Sequence, residues 1–350
     1  MTTTSLSIPL FVDFSRVSCT AGDTSVGLAI ISATARVGKD PRAYGPAKNH
    51  AVHTRTRGLI IWTRRNENPP LSKEEIDTLR EDLMLADTLT RIENTLMVLY
   101  GKGGVGKSTL AVNLAASLAA HDREVGILDI DLHGPSVPTL LKLEGVGAPG
   151  TSEHGLVPVK YSDHLKVMSV EFIAGDHAGE ALIWRGPMKH RLIRQFIAEV
   201  DWGDLDFLIV DAPPGTGDEP LSICQMAPPR SQAIIVTTPQ DLAVKDVKKS
   251  IAFCKVLGMP VFGIVENMSG FVCPDCGAQH MLFKTGGGER LATLTGHRFL
   301  GRIPVDPRLV IASDAGKPFV LEYPASPAAR AFDAMIEPIL QLSPPRMKKH

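Results

Sequence analysis

A glycine-rich stretch that follows a short apolar run constrains the fold of this chain more than any other feature. The sequence Gly-Lys-Gly-Gly-Val-Gly-Lys-Ser-Thr occupies residues 101–109, after an apolar run at 96–100 and before leucines at helical spacing. The glycines let backbone N–H groups converge on phosphate oxygens, and the N-terminus of the following helix adds a favourable dipole. This spacing in a strand–loop–helix context is that of a P-loop. The stretch therefore predicts a nucleotide-binding site in an α/β fold.

Individual residues of the loop have distinct predicted roles. Lys107 would reach the β- and γ-phosphates, and the hydroxyl of Ser108 would hold Mg²⁺. Lys102 is an additional lysine just beyond the predicted strand, where its ammonium must lie near the triphosphate. We therefore predict a phosphate contact for Lys102 rather than a solvated surface charge. The predicted nucleotide contacts of the loop are Gly101, Lys102, Gly103, Gly104, Val105, Gly106, Lys107, Ser108 and Thr109.

Acidic residues that end apolar runs are the second requirement of a Mg-nucleotide site. Asp211 ends such a run in the Walker B manner and would hold Mg²⁺ through water. In the Pro- and Gly-rich loop after it, Gly215 would let the backbone approach a γ-phosphate, as in a nucleotide-sensing switch. Asp129 and Asp131 end another apolar run and could position metal and attacking water, with a helix-capping aspartate as the alternative. No Asn-Lys-x-Asp sequence occurs, which favours ATP over GTP.

Short apolar runs alternate with helical patterns from residue 96 onward. The candidate strands lie at residues 96–100, 125–129, 165–172, 206–211, 233–238, 261–266 and 297–301. Strands that are apolar throughout and separated by helices indicate a mostly parallel sheet with helices on both faces. Right-handed crossovers make such a sheet doubly wound, with its ligand site at the carboxyl ends of the strands.

A change in composition near residue 95 predicts an N-terminal part of different character. Residues 1–65 carry nine Lys/Arg against three acids and show no sustained period. We expect a loosely ordered arm, with a nucleic-acid-binding tail as the weaker alternative. A capping box at Ser72 and Glu75 predicts an amphipathic helix over 72–90. The predicted parts are an arm and helix at 1–95, a P-loop ATPase domain at 96–343 with an inserted cysteine segment at 270–284, and a basic tail at 344–350.

The composition of the whole chain excludes several classes of protein. The formal net charge is −1, so no overall field favours nucleic acid or anionic lipid. No apolar run approaches the about 18 residues of a membrane span. The first residues lack the basic start of a secretory signal. Five cysteines are an odd count without a disulfide framework. We expect a soluble cytoplasmic protein with neither nucleic acid nor membrane as a partner.

Cys273 and Cys276 form a Cys-x-x-Cys pair, the one cysteine pattern with metal-ligand spacing. The spacing alone leaves a zinc site, a redox dithiol and an iron–sulfur site open. A four-iron cluster usually takes four thiolates, and one chain supplies two here. A two-fold dimer would bring four thiolates together at its axis. The remaining cysteines, Cys19, Cys224 and Cys254, are isolated in the sequence.

Four motifs occur together in one order along the chain. They are the phosphate loop at 101–108, Asp-x-Asp-x-x-Gly-Pro-Ser at 129–136, Trp-Arg-Gly-Pro-Met at 184–188 and Asp-x-Pro-Pro-Gly-Thr-Gly-Asp at 211–218. In this combination the chain resembles the Mrp/ApbC iron–sulfur cluster carriers. These belong to the deviant-Walker-A ATPases, with MinD, ParA and the nitrogenase iron protein as relatives. The resemblance extends over residues 96–340.

This resemblance implies roles for residues that match the motifs of the class. Lys102 matches the additional lysine that reaches across a dimer to the nucleotide of the partner. Asp131 matches the acid of the first switch that is associated with hydrolysis, and Asp211 matches the Walker B acid. Asn267 and Pro304 lie in segments that match places where the class holds the adenine base. The implied catalytic residues are Lys102, Lys107 and Asp131.

The resemblance also implies a function. The expected protein is a slow ATP hydrolase and homodimer that carries a labile 4Fe-4S cluster, bridged between subunits by Cys273 and Cys276, to apoproteins. Its cofactors would be ATP, Mg²⁺ and the cluster. Two alternatives remain open. One is a positioning ATPase of the MinD or ParA kind, which would need a membrane helix or a DNA-binding surface. The other is a zinc-stapled dimer in which the nucleotide sets the conformation.

Overall fold

The chain divides into two units in the computed structural model, Met1–Glu74 and Glu75–His350. The structure describes residues 52–56, 59–63, 88, 90–100, 104–131, 134–153, 155–174, 196–197, 199–213, 215, 220–221, 223–224, 230–273, 276–281 and 284–344. In the described part of the first unit, β1 (Val52–Thr56) pairs antiparallel with β2 (Leu59–Thr63). The sequence analysis predicted a loosely ordered arm here and missed these strands, because each is too short to establish a period. The helix predicted over 72–90 lies outside the described residues, apart from 88 and 90.

Strands and helices alternate through the described part of the second unit. Its strands are β3 (Ile92–Tyr100), β4 (Val125–Asp129), β5 (Thr151–Ser152), β6 (Gly155–Leu156), β7 (Val159–Ser162), β8 (Leu165–Ser169), β9 (Leu205–Asp211), β10 (Ser231–Thr237), β11 (Val261–Glu266), β12 (Phe271–Val272), β13 (Gln279–His280) and β14 (Phe299–Arg302). Its helices are α1 (Lys107–Ala120), α2 (Val137–Leu140), α3 (Val170–Ala174), α4 (Asp241–Val256), α5 (Gly287–Thr295), α6 (Arg308–Asp314), α7 (Phe319–Glu322) and α8 (Pro327–Leu340). Within these described residues, no helix has the length and apolar character to cross a membrane.

Eight of these strands form one sheet in the order β14-β11-β10-β3-β9-β4-β8-β7. Every neighbouring pair is parallel except β7 and β8, which form an antiparallel edge. The central strands β3 and β9 are buried along nearly their whole length. Continuous apolar sequence is what a strand covered on both faces requires.

Helices cover both faces of this sheet. Ile234 belongs to the large core cluster that also contains residues of α1 and α8. Its neighbour Ile235 belongs to a second cluster with Val247 of α4 and Leu291 of α5. Successive side chains of a strand point to opposite faces, so the two clusters lie on opposite sides of β10. The predicted doubly wound α/β fold is confirmed.

One predicted strand is wrong at its end. The apolar pattern predicted a strand over 165–172, but β8 ends at Ser169 and α3 begins at Val170. The hydroxyl of Ser169 accepts a hydrogen bond from the backbone N–H of Glu171 at 3.2 Å. This side chain satisfies a donor of the first helical turn, and so the helix displaces the last residues of the predicted strand.

Topology places the loops of interest along one edge of the sheet. After β3 the chain crosses to β4, beyond β9, whereas β10 and β11 lie on the other side of β3. The strand order therefore reverses beside β3, and ligands bind at the carboxyl ends of the strands at such a point. The ends of β3, β4, β9 and β11 lie at this edge because these strands are parallel.

Candidate functional site

The phosphate loop enters α1 through glycines with left-handed backbone. Gly104 has φ 81° and Gly106 has φ 79°, a conformation that favours glycine. The side-chain amide of Asn267 donates a hydrogen bond to the carbonyl oxygen of Val105 at 2.8 Å. A Cβ atom on Gly106 would lie 2.5 Å from that amide nitrogen. The close approach of Asn267 is thus a second reason why residue 106 is glycine.

Lys107, the first residue of α1, is buried and contacts an acid of a neighbouring strand. Its ammonium forms an ion pair with Asp211, the last residue of β9. It also lies 3.5 Å from the Ser108 hydroxyl oxygen and 5.6 Å from the ring centre of Tyr100. The fold therefore brings together Lys107 of the loop and Asp211, two residues that the sequence analysis assigned to one nucleotide site.

Asp129 lies directly beside Asp211, because the two residues are partners in the register of β4 and β9. Both carboxylates are fully buried. Asp129 accepts hydrogen bonds from the backbone N–H groups of Asp131 at 3.2 Å, Ser136 at 3.0 Å and Val137 at 3.0 Å. Asp129 therefore caps the start of α2, the role that the sequence analysis held as an alternative. Asp131 is half-buried, and its predicted role in hydrolysis stays a prediction.

Burial raises the pKa values of two side chains beside the phosphate loop, Asp129 and Tyr100. Burial raises the pKa of Asp129 to about 7, and the negative charge of Asp211 adds to the shift. Hydrogen bonds from Val137 and Asp131 and the charge of Lys107 act in the opposite direction. Burial, with the charges of Asp131 and Asp211, raises the pKa of Tyr100 to about 12. Asp129 thus gains or loses its proton near neutral pH.

The raised pKa of Asp129 predicts that the stability of the nucleotide-free protein depends on pH. In the unfolded chain its pKa returns to the ordinary value of 3.8, so the folded state binds the extra proton between about pH 4 and pH 7. The free energy of unfolding contributed by this group is therefore largest below pH 4 and is lost as the pH rises to about 7. Asp129→Asn removes the titration. The wild-type minus variant difference in unfolding free energy, from urea titrations, should be smaller at about pH 8 than at about pH 5. Equal differences contradict the assignment.

One buried carboxylate oxygen of Asp211 is suited to accept a hydrogen bond from a metal-bound water. The second carboxylate oxygen of Asp211, Oδ2, is buried and has no hydrogen-bond partner within the part of the chain that the structure describes. A buried acceptor without a donor costs free energy unless a ligand or water satisfies it. The half-buried Ser108 belongs to the first turn of α1 beside Lys107. A hydroxyl and a carboxylate oxygen are ligand types that suit Mg²⁺ and its water shell.

The cysteine pair lies at the tip of a small hairpin. Strands β12 and β13 pair antiparallel, and the turn between them contains Cys273 and Cys276. The N–H of Cys273 donates to the carbonyl oxygen of Ala278, and the N–H of Gly277 donates to that of Cys273, both at 2.9 Å. Cys273 is half-buried and Cys276 is exposed. Both cysteines therefore lie near the surface, where backbone hydrogen bonds close the end of the hairpin.

The two other described cysteines differ in their chemistry. Burial raises the pKa of Cys224 to about 12 and that of Cys254 to about 11. A thiol needs to lose its proton before it binds a metal, so burial disfavours metal binding by these two. Among the described residues, no group of three or more His, Cys, Asp or Glu side chains could hold a metal ion within one chain.

The phosphate loop, the acids of β4 and β9 and the cysteine turn now define a site that can be compared with known proteins. The family model for ParA-type NUBPL iron-transfer P-loop NTPases matches residues 91–340. The chain belongs to this family. The predicted resemblance to iron–sulfur cluster carriers is confirmed at the level of the NUBPL family.

Relatives of this NUBPL-family chain carry names that agree with the match. An iron–sulfur cluster carrier protein of Methanocaldococcus jannaschii is 47% identical over 242 residues, which cover 69% of this chain and 83% of the relative. The cytosolic Fe-S cluster assembly factor NUBP2 of Rattus norvegicus is 43% identical over 260 residues, covering 73% and 95%. A nucleotide-binding protein of Archaeoglobus fulgidus, solved in complex with ADP, has a TM-score of 0.62 and 38% identity, covering 77% of this chain and 99% of that one.

Two predicted base-contacting residues of the NUBPL-family chain lie close to the cysteine segment. Asn267 follows β11 and contacts the phosphate loop as described above. Pro304 lies between residues that pair with the chain after Asn267. The carbonyl of Ile303 accepts from the N–H of Ser269 at 2.9 Å, and the N–H of Val305 donates to the carbonyl of Gly270 at 2.8 Å. The base-contacting segments and the start of the cysteine segment are therefore adjacent.

Of the other positions singled out in the sequence, the structure describes Gly215 but not residues 101–103 or 184–188. Gly215 is half-buried with φ 89°, a left-handed conformation that favours glycine, and its predicted role in a switch stays a prediction. Gly101, Lys102, Gly103 and the motif at 184–188 lie outside the described residues. The predicted contact of Lys102 with a phosphate of the partner's nucleotide therefore stays a prediction.

Sequence reasoning missed one functional candidate, Glu266. This last residue of β11 is fully buried, and its carboxylate accepts hydrogen bonds from the Ser269 hydroxyl and from the N–H groups of Gly286 and Gly288. A charged residue at the end of an apolar strand is the signal that could have revealed it. The glycines that complete the contact lie about twenty residues away in the chain.

Proposed function

We propose that this protein is an ATP-dependent carrier of a 4Fe-4S cluster, which it binds between two copies of the chain and delivers to apoproteins. The observation that carries the proposal is the cysteine turn at the same sheet edge as the phosphate loop. Relatives named as an iron–sulfur cluster carrier protein and as a cytosolic Fe-S cluster assembly factor support it. The word cytosolic in the name of the rat relative supports a cytoplasmic location.

The nucleotide half of the function rests on groups already gathered at the loop. Lys107 leaves Asp211 for the β- and γ-phosphates when nucleotide binds, since its ammonium lies at the start of α1. Ser108 and, through water, Asp211 hold Mg²⁺, which neutralises charge on the phosphates. The remaining glycines and Thr109 offer backbone N–H groups to the phosphates, and Asn267 and Pro304 contact the base. Gly215 brings the switch backbone to the γ-phosphate.

Asp131 supplies the hydrolytic step in this proposal. It lies two residues beyond Asp129 and is half-buried, beside the carboxyl ends of β4 and β9. The proximity of its charge contributes to the raised pKa of Tyr100, which places it near the phosphate loop. A positioned carboxylate accelerates proton transfer by about 10²–10⁴-fold.

The cluster is the cargo of the carrier, and its ligands come from two chains. Each chain contributes the thiolates of Cys273 and Cys276, and a four-iron cluster usually takes four. A two-fold axis beside the cysteine turn supplies the second pair, which makes the homodimer part of the function. Because Cys276 is exposed, an apoprotein can reach the bound cluster.

We also retain 96–343 as the ATPase domain, with the arm, the inserted segment 270–284 and the tail at their predicted bounds.

The function is tested by hydrolysis and transfer in one variant. Asp131→Asn should bind ATP with wild-type affinity but hydrolyse it about a hundredfold more slowly, because the water-orienting carboxylate is lost. The measurements are ATP binding by calorimetry, phosphate release, and transfer of a reconstituted cluster to an apoprotein that needs four irons. We expect cluster transfer from the wild-type protein to recipients.

The matched control is Asp314→Asn, an exposed acid on α6. It should leave binding, hydrolysis and transfer unchanged. Loss of ATP binding together with hydrolysis in Asp131→Asn would show that the role assigned to this carboxylate is wrong. A wild-type protein that binds a cluster but never passes it to a recipient would contradict the carrier function.

A further inference from the structure

The polypeptide that bears the cysteines leaves and re-enters the domain at one buried carboxylate. The cysteine segment is residues 270–284. Before it, Ser269 donates its hydroxyl to Oε1 of Glu266. After it, the N–H of Gly286 donates to the same oxygen at 2.8 Å, and the N–H of Gly288 donates to Oε2 at 2.5 Å. Both ends of the segment are therefore held by the side chain of one residue.

The backbone after the segment is shaped to reach this carboxylate. Gly286 has φ 83°, in the left-handed region. A Cβ atom on Gly287 would lie 2.6 Å from the carbonyl oxygen of Pro239, and one on Gly288 would lie 3.0 Å from Cβ of Glu266. Three successive glycines are thus required for the start of α5 to approach Glu266 this closely. Two N–H groups at a helix start also favour a negative charge there.

The charge of Glu266 is compensated from the neighbouring strand. Nε of Arg302 lies 3.6 Å from Oε1 of Glu266, and the same guanidinium pairs with Glu289 of α5. A buried carboxylate is tolerated only when it is paired and hydrogen-bonded. Removing its charge therefore weakens several contacts at once, and those contacts belong to both ends of the cysteine segment.

Asn267, the residue that follows Glu266 in the chain, contacts the phosphate loop. Asn267 donates its backbone N–H to the carbonyl of Thr237 at 2.8 Å and its side-chain amide to the carbonyl of Val105 at 2.8 Å. Val105 lies inside the predicted phosphate contacts, so a nucleotide that reorders the loop acts on Asn267 first. Glu266, which is fully buried at the end of β11, cannot move independently of its neighbour.

We propose that Glu266 is a positioning residue that couples the cysteine segment to the nucleotide site. Its carboxylate holds both ends of the segment, while the adjacent Asn267 senses the phosphate loop. Nucleotide binding then increases the order of the turn that contains Cys273 and Cys276. This change alters how tightly the two thiolates bind the cluster. The inference rests on the proposed function, since it connects the two sites that the function assigns.

Amide hydrogen exchange of the full-length apoprotein tests this coupling, with Mg²⁺-ADP as the ligand. In the wild-type protein, saturating ADP should slow exchange of peptides covering 270–288 by about fivefold or more. Glu266→Gln keeps the shape but loses the charge. It should speed exchange of these peptides by about tenfold without ADP, and ADP should no longer change it. By linkage, the affinity for ADP should change by no more than the coupling factor.

Glu289→Gln is the matched control, because it removes another carboxylate that pairs with Arg302 but does not hold the cysteine segment. It should behave like the wild-type protein. If Glu266→Gln does not fold, Ser269→Ala decides the matter. That change removes a single donor to Glu266 and should reduce the effect of ADP by about threefold.

The response to ADP separates a coupling role from a merely structural one. Faster exchange in Glu266→Gln with an undiminished ADP effect would overturn the proposal, since the residue would then only stabilise the segment. An absence of any ADP effect in a wild-type protein that binds ADP would overturn it as well. A wild-type protein that does not bind ADP would instead contradict the proposed function, and the inference would fall with it.

Discussion

Replacing Lys107 with alanine is expected to lower the affinity for ADP and ATP by about a hundredfold or more and to remove hydrolysis. The ammonium is buried at the start of α1, where the loop glycines direct backbone N–H groups to the phosphates. Charge-assisted hydrogen bonds to two phosphates are lost, and the backbone groups that remain are neutral. Calorimetric titration with Mg²⁺-ADP measures the loss of affinity directly.

The same change has a structural cost that has to be separated from binding. Asp211 is fully buried and pairs with Lys107, so removal of the lysine leaves an uncompensated carboxylate beside Asp129. Breaking a buried ion pair from one side destabilises a protein by about 3–5 kcal/mol. The double variant Lys107→Ala/Asp211→Asn removes both charges and should recover most of this stability without recovering nucleotide affinity. Urea unfolding reports the first quantity and calorimetry the second.

Lys248→Ala serves as the control for a lysine lost elsewhere, because Lys248 is exposed on α4. It should retain both stability and nucleotide affinity. If Lys107→Ala bound ADP as tightly as the wild-type protein, the phosphate loop would not be the nucleotide site. If the double variant regained affinity, Asp211 rather than the missing ammonium would have blocked binding in the single variant.

The phosphate loop and the central strands are readable from the sequence because their signals are local. Gly106, Lys107 and Ser108 indicate a phosphate loop, because these residue types occur at its fixed spacing. The continuous apolar run of β9 indicates a strand with both faces covered by helices. The end of β8 is also decided locally, but by a different interaction. The Ser169 hydroxyl caps a helix by accepting a hydrogen bond from the N–H of Glu171. The periodicity of apolar residues does not reveal such a bond.

The division of labour between Asp129 and Asp131 depends on register, which the sequence does not display. Both acids end the same apolar run, and either one could act as cap or as catalyst. Only the pairing of β4 with β9 sets Asp129 beside Asp211, and only the path to α2 supplies its three N–H donors. The structure therefore identifies Asp129 as the capping acid, whereas the hydrolytic role of Asp131 stays a prediction from the resemblance.

Glu266 escaped sequence analysis for a related reason. Its donors, Ser269, Gly286 and Gly288, lie on both sides of the cysteine hairpin. A Cβ atom on Gly287 would crowd Pro239 and one on Gly288 would crowd Glu266, and neither approach is visible in the sequence. Long-range contacts of a single carboxylate leave no period and no motif. The sequence motifs therefore identify candidate residues but not the long-range contacts that hold them in place.

Cys273 and Cys276 are expected to determine whether the protein holds a cluster at all. Anaerobic reconstitution of the wild-type protein with iron and sulfide should give about four irons per dimer and the broad absorbance of thiolate-to-iron charge transfer. Changing either cysteine to alanine removes two of the four proposed thiolates, one from each chain. The bound iron and the absorbance should then vanish, because two remaining thiolates cannot satisfy the cluster.

The same variants should leave nucleotide binding close to that of the wild-type protein. The cysteines occupy the tip of the β12–β13 hairpin, whereas the phosphate loop contacts Asn267 before the hairpin begins. Cys224→Ala and Cys254→Ala are the matched controls. Burial holds the pKa of both thiols well above neutral, and the cluster should be unaffected by their loss. Cys19→Ala should likewise retain the cluster.

Metal content and oligomeric state decide between the alternatives that the Cys-x-x-Cys spacing leaves open. A stoichiometric zinc in the purified protein, with no cluster after reconstitution, would favour the zinc-stapled dimer and defeat the carrier function. A monomer with full cluster content would defeat the bridging geometry alone. The bridging proposal makes a further demand, since Cys273→Ala and Cys276→Ala chains mixed in one dimer still supply only two thiolates. Such mixed dimers should hold no more iron than either variant by itself, because cluster binding needs both cysteines from both chains.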